Sequence, residues 1–207
     1  MDHNEHIIRD EAGLEALYGT GSEPSLIKEV DYIHPHYRAF IEASPYVIIA
    51  SAGVDGFDAS PRGDPAGFVR IRDERTLLIP DRRGNNRVDT LRNIVVDPRV
   101  GLLFLVPGIG ESLRANGTAL ISVEPELLES FAVAGKPARS VLIVTVTAVY
   151  FQCPRAAVRS NIWNPKTFLS RSALPSSGTI LGDLSKDRID RAEWDRTREE
   201  TVRATLY

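Results

Sequence analysis

The apolar positions between residues 46 and 152 occur in short runs that predict β-strands. Turn residues, including Gly53, Asp55-Gly56 and Asp73-Glu74, separate the runs, and β-branched runs with such borders are typical of strands. The runs are YVIIAS, GFDAS, GFVRI, RTLLI, VGLLFLV, SLRANGTALISV (one strand or a bent pair) and SVLIVTVTAVYFQ. Because few βαβ units are visible, we expect five or six strands in a mainly antiparallel barrel flanked by helices.

Helical spacing appears before, between and after these runs. Before them, a short amphipathic helix should end at Gly19, a second should begin at Ser22, and HPHYRAFIEAS should stop before Pro45. Between them, EPELLESFAVAG predicts a short helix closed by Gly135. NRVDTLRNIVV predicts another, with one apolar face made of Val88, Leu91 and Val95.

The segment 184–206 is highly charged and has only a thin apolar stripe. It predicts a solvated helix lying on the body or on a partner chain, with no chemistry assigned to it. The stripe consists of Leu184, Ile189, Trp194 and Val202.

Composition excludes several classes of protein. The formal net charge of −3 gives no basic field that would attract nucleic acid or an anionic membrane. A single cysteine, Cys153, excludes a disulfide framework and a cysteine-rich metal site. His34 and His36 have no evident carboxylate or cysteine partner, so no metal site is predicted. No secretory signal and no apolar run of about 20 residues is visible, so we expect a cytoplasmic protein.

The stretch PDRRGNNRVDTLRN concentrates polar donors in one strand-to-helix turn. Backbone N–H groups at the start of a helix attract anions, and guanidinium groups fit phosphate oxygens. The donors here are the side chains of Arg82, Arg83, Arg87, Asn85 and Asn86. The sequence therefore favours an anion site. The alternative is a solvated surface loop in which Asn86 caps the helix.

Two further polar clusters could belong to the same site. In DASPRGDPAGFVRI, Arg62 could project toward the edge of the sheet that carries the turn, unless Gly63-Asp64-Pro65 simply forms an exposed charged turn. In QCPRAAVRSNIWNP, Arg155 and Arg159 should share one face of a short helix. Trp163 offers a flat surface to an aromatic ring, or else anchors a core or an interface.

Taken in order, these segments resemble the pyridoxamine 5′-phosphate oxidase-like FMN-binding split-barrel flavoproteins, in particular their bacterial branch with an N-terminal helical extension. The GNNR turn and the CPRAxxRSxxW run are the most specific parts of a resemblance that extends from about residue 25 to the end. It implies an α+β protein with a six-stranded antiparallel split β-barrel, forming a homodimer with FMN at the subunit interface. The implied parts are a helical extension at 1–44, an FMN-binding barrel at 45–170, and a C-terminal loop and charged helix at 171–207.

The resemblance also implies roles for individual residues. Ser60, Arg62 and Gly63 would lie on the strand that faces the flavin and its phosphate, and Pro80 and Asp81 along the isoalloxazine edge. The phosphate would be held by Asn85, Asn86 and Arg87. A segment with Arg155, Ser160 and Trp163 would approach the cofactor, from the other subunit.

Two departures from the family pattern bear on function. Gln152 and Arg155 stand where members of this branch often have His and Lys, and the chain ends in RATLY without the basic segment that closes over substrate in true pyridoxamine phosphate oxidases. The implied function is therefore an FMN-dependent oxidoreductase for an unidentified small organic substrate, with NAD(P)H or oxygen as redox partner. A non-enzymatic FMN-binding protein, or a barrel using heme or a deazaflavin, are the alternatives. No catalytic acid or base can be assigned, and Asp64, Asp81 and Arg83 are only nearby candidates.

Overall fold

A single antiparallel sheet organises the protein. The computed structural model describes residues 6–54 and 56–207, and within them seven strands pair in the order β2-β1-β5-β6-β7-β4-β3. The strands are β1 (Tyr46–Gly53), β2 (Gly56–Gly63), β3 (Arg70–Asp73), β4 (Thr76–Asp81), β5 (Arg99–Leu105), β6 (Ser112–Ser122) and β7 (Ser140–Gln152). The predicted mainly antiparallel α+β architecture is thus confirmed. Asp55, part of one predicted turn, lies outside the described residues.

Eight α-helices flank the sheet in the described part of the chain. They are α1 (Glu11–Tyr18), α2 (Glu23–Ile27), α3 (Pro35–Ala43), α4 (Asp89–Val96), α5 (Pro125–Ser130), α6 (Arg155–Ser160), α7 (Ser177–Ser185) and α8 (Arg191–Ala204). The predicted end of α1 is confirmed, because Gly19 follows it with a φ of 68°, a conformation that glycine adopts at little cost. No helix among the described residues is long and apolar enough to span a bilayer.

The expected count of six strands is wrong for this sheet, which has seven. One of the seven is β3, a four-residue edge strand that overlaps the predicted run GFVRI and pairs with β4 through a tight turn between Asp73 and Thr76. The hydrogen-bonded ladder ends at β2 on one side and at β3 on the other, so the backbone does not close into a barrel. The division into segments 1–44, 45–170 and 171–207 stays a prediction, and residues 1–5 lie outside the described part.

The main core cluster lies on one face of the sheet and follows the period-two alternation of strands, and a smaller cluster of Leu78, Phe131, Ala138 and Val141 packs on the other face. Val47 and Ile49 of β1 and Leu102 and Phe104 of β5 are almost fully buried. β6 is one bent strand, with a bulge between Asn116 and Gly117 where it pairs with β7. The remaining members of the main cluster include Leu77, Ile79, Leu113, Leu142, Val144, Val146 and Val149.

Three helical predictions differ from the structure. The predicted apolar face of α4 is wrong: Thr90 and Ile94 are buried, while Val95 is 76% exposed and Val88 precedes the helix with a φ of 52°. Ile94 packs in the main core cluster, and the Thr90 hydroxyl on the same side of α4 donates to the Asp58 carboxylate at 2.5 Å. α5 ends at Ser130, before Gly135, which lies in a later turn. The helix predicted at 184–206 is shorter in the structure: α8 covers Arg191–Ala204, and residues 184 and 185 belong to the end of α7.

Candidate functional site: a cavity between β2 and β4

Two ion pairs join the ends of β2 and β4. The Arg62 Nε donates to Asp81 Oδ1 at 3.1 Å, and the Arg82 Nε donates to Asp64 Oδ2 at 2.9 Å. Four strands separate β2 from β4 in the sheet order. The sheet must therefore curl until these strands approach each other, and side chains rather than backbone hydrogen bonds span the gap.

A cavity of about 770 Å³ lies along this gap. Its walls come from β2, from the end of β4, from the turn between β4 and α4, and from the last residues of the chain. Five arginines and four aspartates line it, which leaves an excess of one positive charge. The charged lining residues are Arg62, Arg82, Arg83, Arg87, Arg139, Asp58, Asp64, Asp81 and Asp89.

The turn between β4 and α4 presents several polar donors at the cavity. The Asn85 Oδ1 accepts from the backbone N–H of Arg87 at 3.1 Å, and the Arg87 Nε donates to Asp89 at 2.8 Å. The Asn86 Oδ1 accepts from Arg139 at 2.8 Å. Asn86 does not cap α4, because Val88 occupies that position. Arg83 is exposed and makes no hydrogen bond or ion pair with any described residue.

The other end of the cavity is built around Asp64. This side chain is only 5% exposed, and its two oxygens accept from Arg82 and from the hydroxyl of Tyr207, the latter at 2.6 Å. The hydrogen bond to Asp64 raises the pKa of the Tyr207 phenol above its ordinary value, and burial adds to the effect. Charges at this end are therefore paired within the protein.

Most of the residues singled out by sequence line this one cavity. They are Ser60, Arg62, Gly63, Pro80, Asp81, Asn85, Asn86 and Arg87. The alternative that Arg62 belongs to an exposed charged turn is wrong, because its side chain is 18% exposed and donates to both Asp81 and Ser60. The two clusters on β2 and on the turn thus come together, as the sequence suggested.

A second group of predicted site residues lies away from the cavity. Arg155 and Ser160 are exposed on α6, and neither lines the cavity. The Trp163 Nε1 donates to the carbonyl oxygen of Ile109 at 2.8 Å, so within one chain Trp163 fastens the loop before β6. A role for these three residues at the cavity would require a second copy of the chain.

Sequence reasoning missed several residues of the cavity wall. Arg139 precedes β7 and carries no motif, although its guanidinium reaches Asn86. Asp58 and Thr90 meet across 32 positions of sequence. Leu206 and Tyr207 belong to a segment to which the sequence assigned no chemistry, and they line the cavity. No local pattern could have found these residues, because only the packing of distant segments brings them here.

The family model described as pyridoxamine 5′-phosphate oxidase matches residues 33–153, which is more than half of the chain. The chain belongs to the pyridoxamine 5′-phosphate oxidase family. The matched range contains every strand of the sheet and most of the cavity wall, and the predicted family is confirmed. No curated protein matches the chain.

Several solved structures resemble it at low identity. HupZ from Group A Streptococcus is 19% identical, with a TM-score of 0.48 over 56% of this chain and 91% of HupZ. A candidate pyridoxamine 5′-phosphate oxidase from Lactobacillus delbrueckii is 17% identical, with a TM-score of 0.42 over 58% of this chain and 99% of that one. A similar candidate from Listeria innocua is 16% identical, with a TM-score of 0.41 over 56% and 94%.

Proposed function

We propose that this protein binds FMN in the cavity between β2 and β4 and acts as an FMN-dependent oxidoreductase on a small organic compound. The observation that supports the proposal is the donor set of the cavity. Asn85, Asn86, Arg87 and Arg139 lie at one end of it, within a wall that also carries Ser60 and Thr90 among its hydroxyl groups.

The cavity fits a phosphorylated flavin in volume and in charge. Its volume of about 770 Å³ lies within the range of roughly 300–1,000 Å³ that small-molecule sites occupy. Its excess of positive charge attracts an anion, and guanidinium groups bind phosphate oxygens in a fixed fork. Arg83, which has no partner among the described residues, could turn to a phosphate without breaking an existing ion pair.

Each part of the wall would have its own task. When bound, FMN supplies the redox chemistry of its ring. The turn at 85–87 would orient the phosphate, and Pro80 and Asp81 would border the ring. The ion pairs Arg62–Asp81 and Arg82–Asp64 keep charges at the ring end neutralised. The site would then exclude water from the ring while the phosphate stays at the solvated turn.

A homodimer with a split barrel in each subunit is part of the proposal. Large apolar side chains remain exposed next to the predicted second part of the site, including Val158, Ile162, Phe168 and Leu169. A second copy covering this surface would bring its own Arg155, Ser160 and Trp163 toward the cavity. The apolar side chains of β7 do not supply this surface, because most of them are buried within the chain itself.

Of the alternatives from the sequence, heme finds the least support in the cavity. Heme iron is held by His, Cys, Met or Tyr. Within the described residues the cavity wall carries only Tyr207 of these, and its hydroxyl already donates to Asp64. A deazaflavin would use the same cavity walls as FMN, and mass spectrometry of the bound compound distinguishes the two. A non-enzymatic FMN-binding protein would hold FMN in the same cavity and would differ from the proposed enzyme only in that it turns over no substrate.

The test begins with the ligand that the purified protein carries. Mass spectrometry of the heat-released compound should give FMN, and the visible spectrum should show flavin bands. FMN should bind far more tightly than riboflavin, which lacks the phosphate. Equal affinity for both, or a Soret band, would overturn the proposal. Reduction by NADH or NADPH and reoxidation by oxygen or organic acceptors would then separate an enzyme from a storage protein.

A further inference from the structure

The last residues of the chain cross the cavity at its Asp64 end. The Tyr207 hydroxyl donates to Asp64 Oδ1 at 2.6 Å, across 143 positions of sequence. On the other side, the Lys136 Nζ donates to the Tyr207 carbonyl oxygen at 2.8 Å. Leu206 and Tyr207 both line the cavity. Two contacts from separate parts of the fold thus hold this segment as a wall of the site.

Tyr207 also completes a polar network under that wall. Asp64 is nearly buried and uses its second oxygen for Arg82, whose side chain is 16% exposed. Arg82 in turn donates to the carbonyl oxygen of Phe131 at 2.8 Å, and its guanidinium lies 5.4 Å from the centre of the Tyr207 ring. Without the hydroxyl, one oxygen of a buried carboxylate would lose its donor, which is costly. Tyr207 therefore fixes the positions of Asp64 and Arg82.

The helix before Tyr207 packs mainly on its neighbour. α8 contacts α7, and none of its residues is buried. The backbone N–H of Gly178 donates to Asp195 at 2.9 Å, and Arg191 pairs with Asp183 and Asp187, so these bonds join α7 and α8 to each other. The contacts of Tyr207 with Asp64 and Lys136 fasten the residues after α8 to the cavity wall.

We propose that Tyr207 is a positioning residue of the cavity and that its ring forms a wall that detaches when a ligand enters or leaves. The hydrogen bond to Asp64 holds the wall closed and keeps Arg82 aligned. The role in ligand exchange rests on the proposed binding of FMN, whereas the closed wall itself does not.

The first experiment tests the wall without any ligand. Tetranitromethane nitrates accessible tyrosines, and mass spectrometry of the peptides gives the rate at each one. Tyr207 should react at least about tenfold more slowly than Tyr18, which is 77% exposed on α1, since a hydrogen bond to a charged group is worth a factor of about ten or more. Lys136→Ala, which removes the other tether, should speed the nitration of Tyr207 and leave Tyr18 unchanged. Equal rates at both tyrosines in the wild type would overturn the proposal.

The second experiment measures FMN exchange by stopped flow in wild type, Tyr207→Phe and the matched control Tyr18→Phe. The Tyr207 variant keeps the ring but loses the bond to Asp64, so the association and dissociation rates should both rise, by about tenfold. The dissociation constant should change less than either rate, and the control should match wild type. Unchanged rates in Tyr207→Phe would reduce Tyr207 to a structural role and overturn the proposal.

The two experiments fail in different ways. If the wild type binds no FMN but Tyr207 is protected, the proposed function is wrong and the closed wall stands. If FMN binds and Tyr207 reacts as fast as Tyr18, the wall is wrong and the proposed function stands.

Discussion

Arg62 on β2 donates to Asp81 at the end of β4 over 3.1 Å, although four strands lie between β2 and β4 in the sheet. The same guanidinium donates to the Ser60 hydroxyl at 3.0 Å. Both charged side chains are less than one-fifth exposed. This contact therefore links β2 to β4 across the gap of the curled sheet. The same two side chains also form part of the cavity wall.

Removing Arg62 should lower the free energy of unfolding. Arg62→Ala leaves a largely buried Asp81 carboxylate without its charged partner, and we expect a loss of about 1–3 kcal/mol. Arg38→Ala is the matched control, because it breaks an exposed ion pair with Glu42 within α3 and should cost no more than about 0.5 kcal/mol. Urea denaturation measures both. Equal losses in the two variants would show that the Arg62–Asp81 pair does not hold the sheet ends together.

Arg87→Ala should weaken FMN binding by about 1.5–3 kcal/mol, the range for hydrogen bonds to charged groups. Arg92→Ala provides the control, because Arg92 also faces Asp89, at 3.8 Å, is 72% exposed and does not line the cavity. Fluorescence titration with FMN and riboflavin gives the affinities. The Arg87 variant should lose affinity for FMN and little for riboflavin. A similar loss for both flavins would contradict a phosphate contact.

Arg62 and Arg87 should act together on FMN if they serve one site. They line the same cavity but lie on different elements, so a double-mutant cycle of FMN dissociation constants at fixed salt isolates their coupling. We expect the double variant to lose less affinity than the sum of the single losses, by roughly 0.5–3 kcal/mol. Strict additivity, with almost no effect of Arg62→Ala alone, would show that Arg62 takes no part in FMN binding.

The protein should sediment as a dimer at twice its chain mass of 22.9 kDa. Exposed large apolar side chains are numerous and include Leu17, Ile27 and Phe168. A stable dimer would cover part of them, with an interface above about 2,000 Å² of total buried surface. A monomer that holds one FMN per chain would contradict the expectation that a second copy completes the site.

The stability that Tyr207 contributes should disappear at alkaline pH. Its pKa is raised above the ordinary 10.0, first because the hydroxyl donates to Asp64, then through burial and the Asp64 charge, while Arg82 acts in the opposite direction. A group whose pKa is higher in the folded than in the unfolded state stabilises the protein fully at pH values below its unfolded-state pKa. This stabilisation is lost as the pH rises through the folded-state pKa. The free energy difference between wild type and Tyr207→Phe should therefore be constant below about pH 10 and shrink above it. Urea denaturation across that range measures it, and a difference independent of pH would contradict the hydrogen bond.

The sequence by itself determined the local elements of this protein. Alternating β-branched runs became strands, Gly19 ended α1, and the donors of the GNNR turn are exposed between β4 and α4. The ordered segments also identified the family correctly. These features could be predicted because strand alternation, turn residues and caps depend on neighbours in the chain, whose chemistry a sequence displays directly.

Only the tertiary structure decided which distant residues meet. The curl of the sheet brings Arg62 to Asp81, the packing of α4 on β1 and β2 brings Thr90 to Asp58, and the path of the chain through α7 and α8 brings Tyr207 to Asp64. In each case the partners are at least 19 positions apart. Their meeting depends on the curvature of the whole sheet and on the way helices dock against it. Those are properties of the packed chain, and no local period or spacing encodes them.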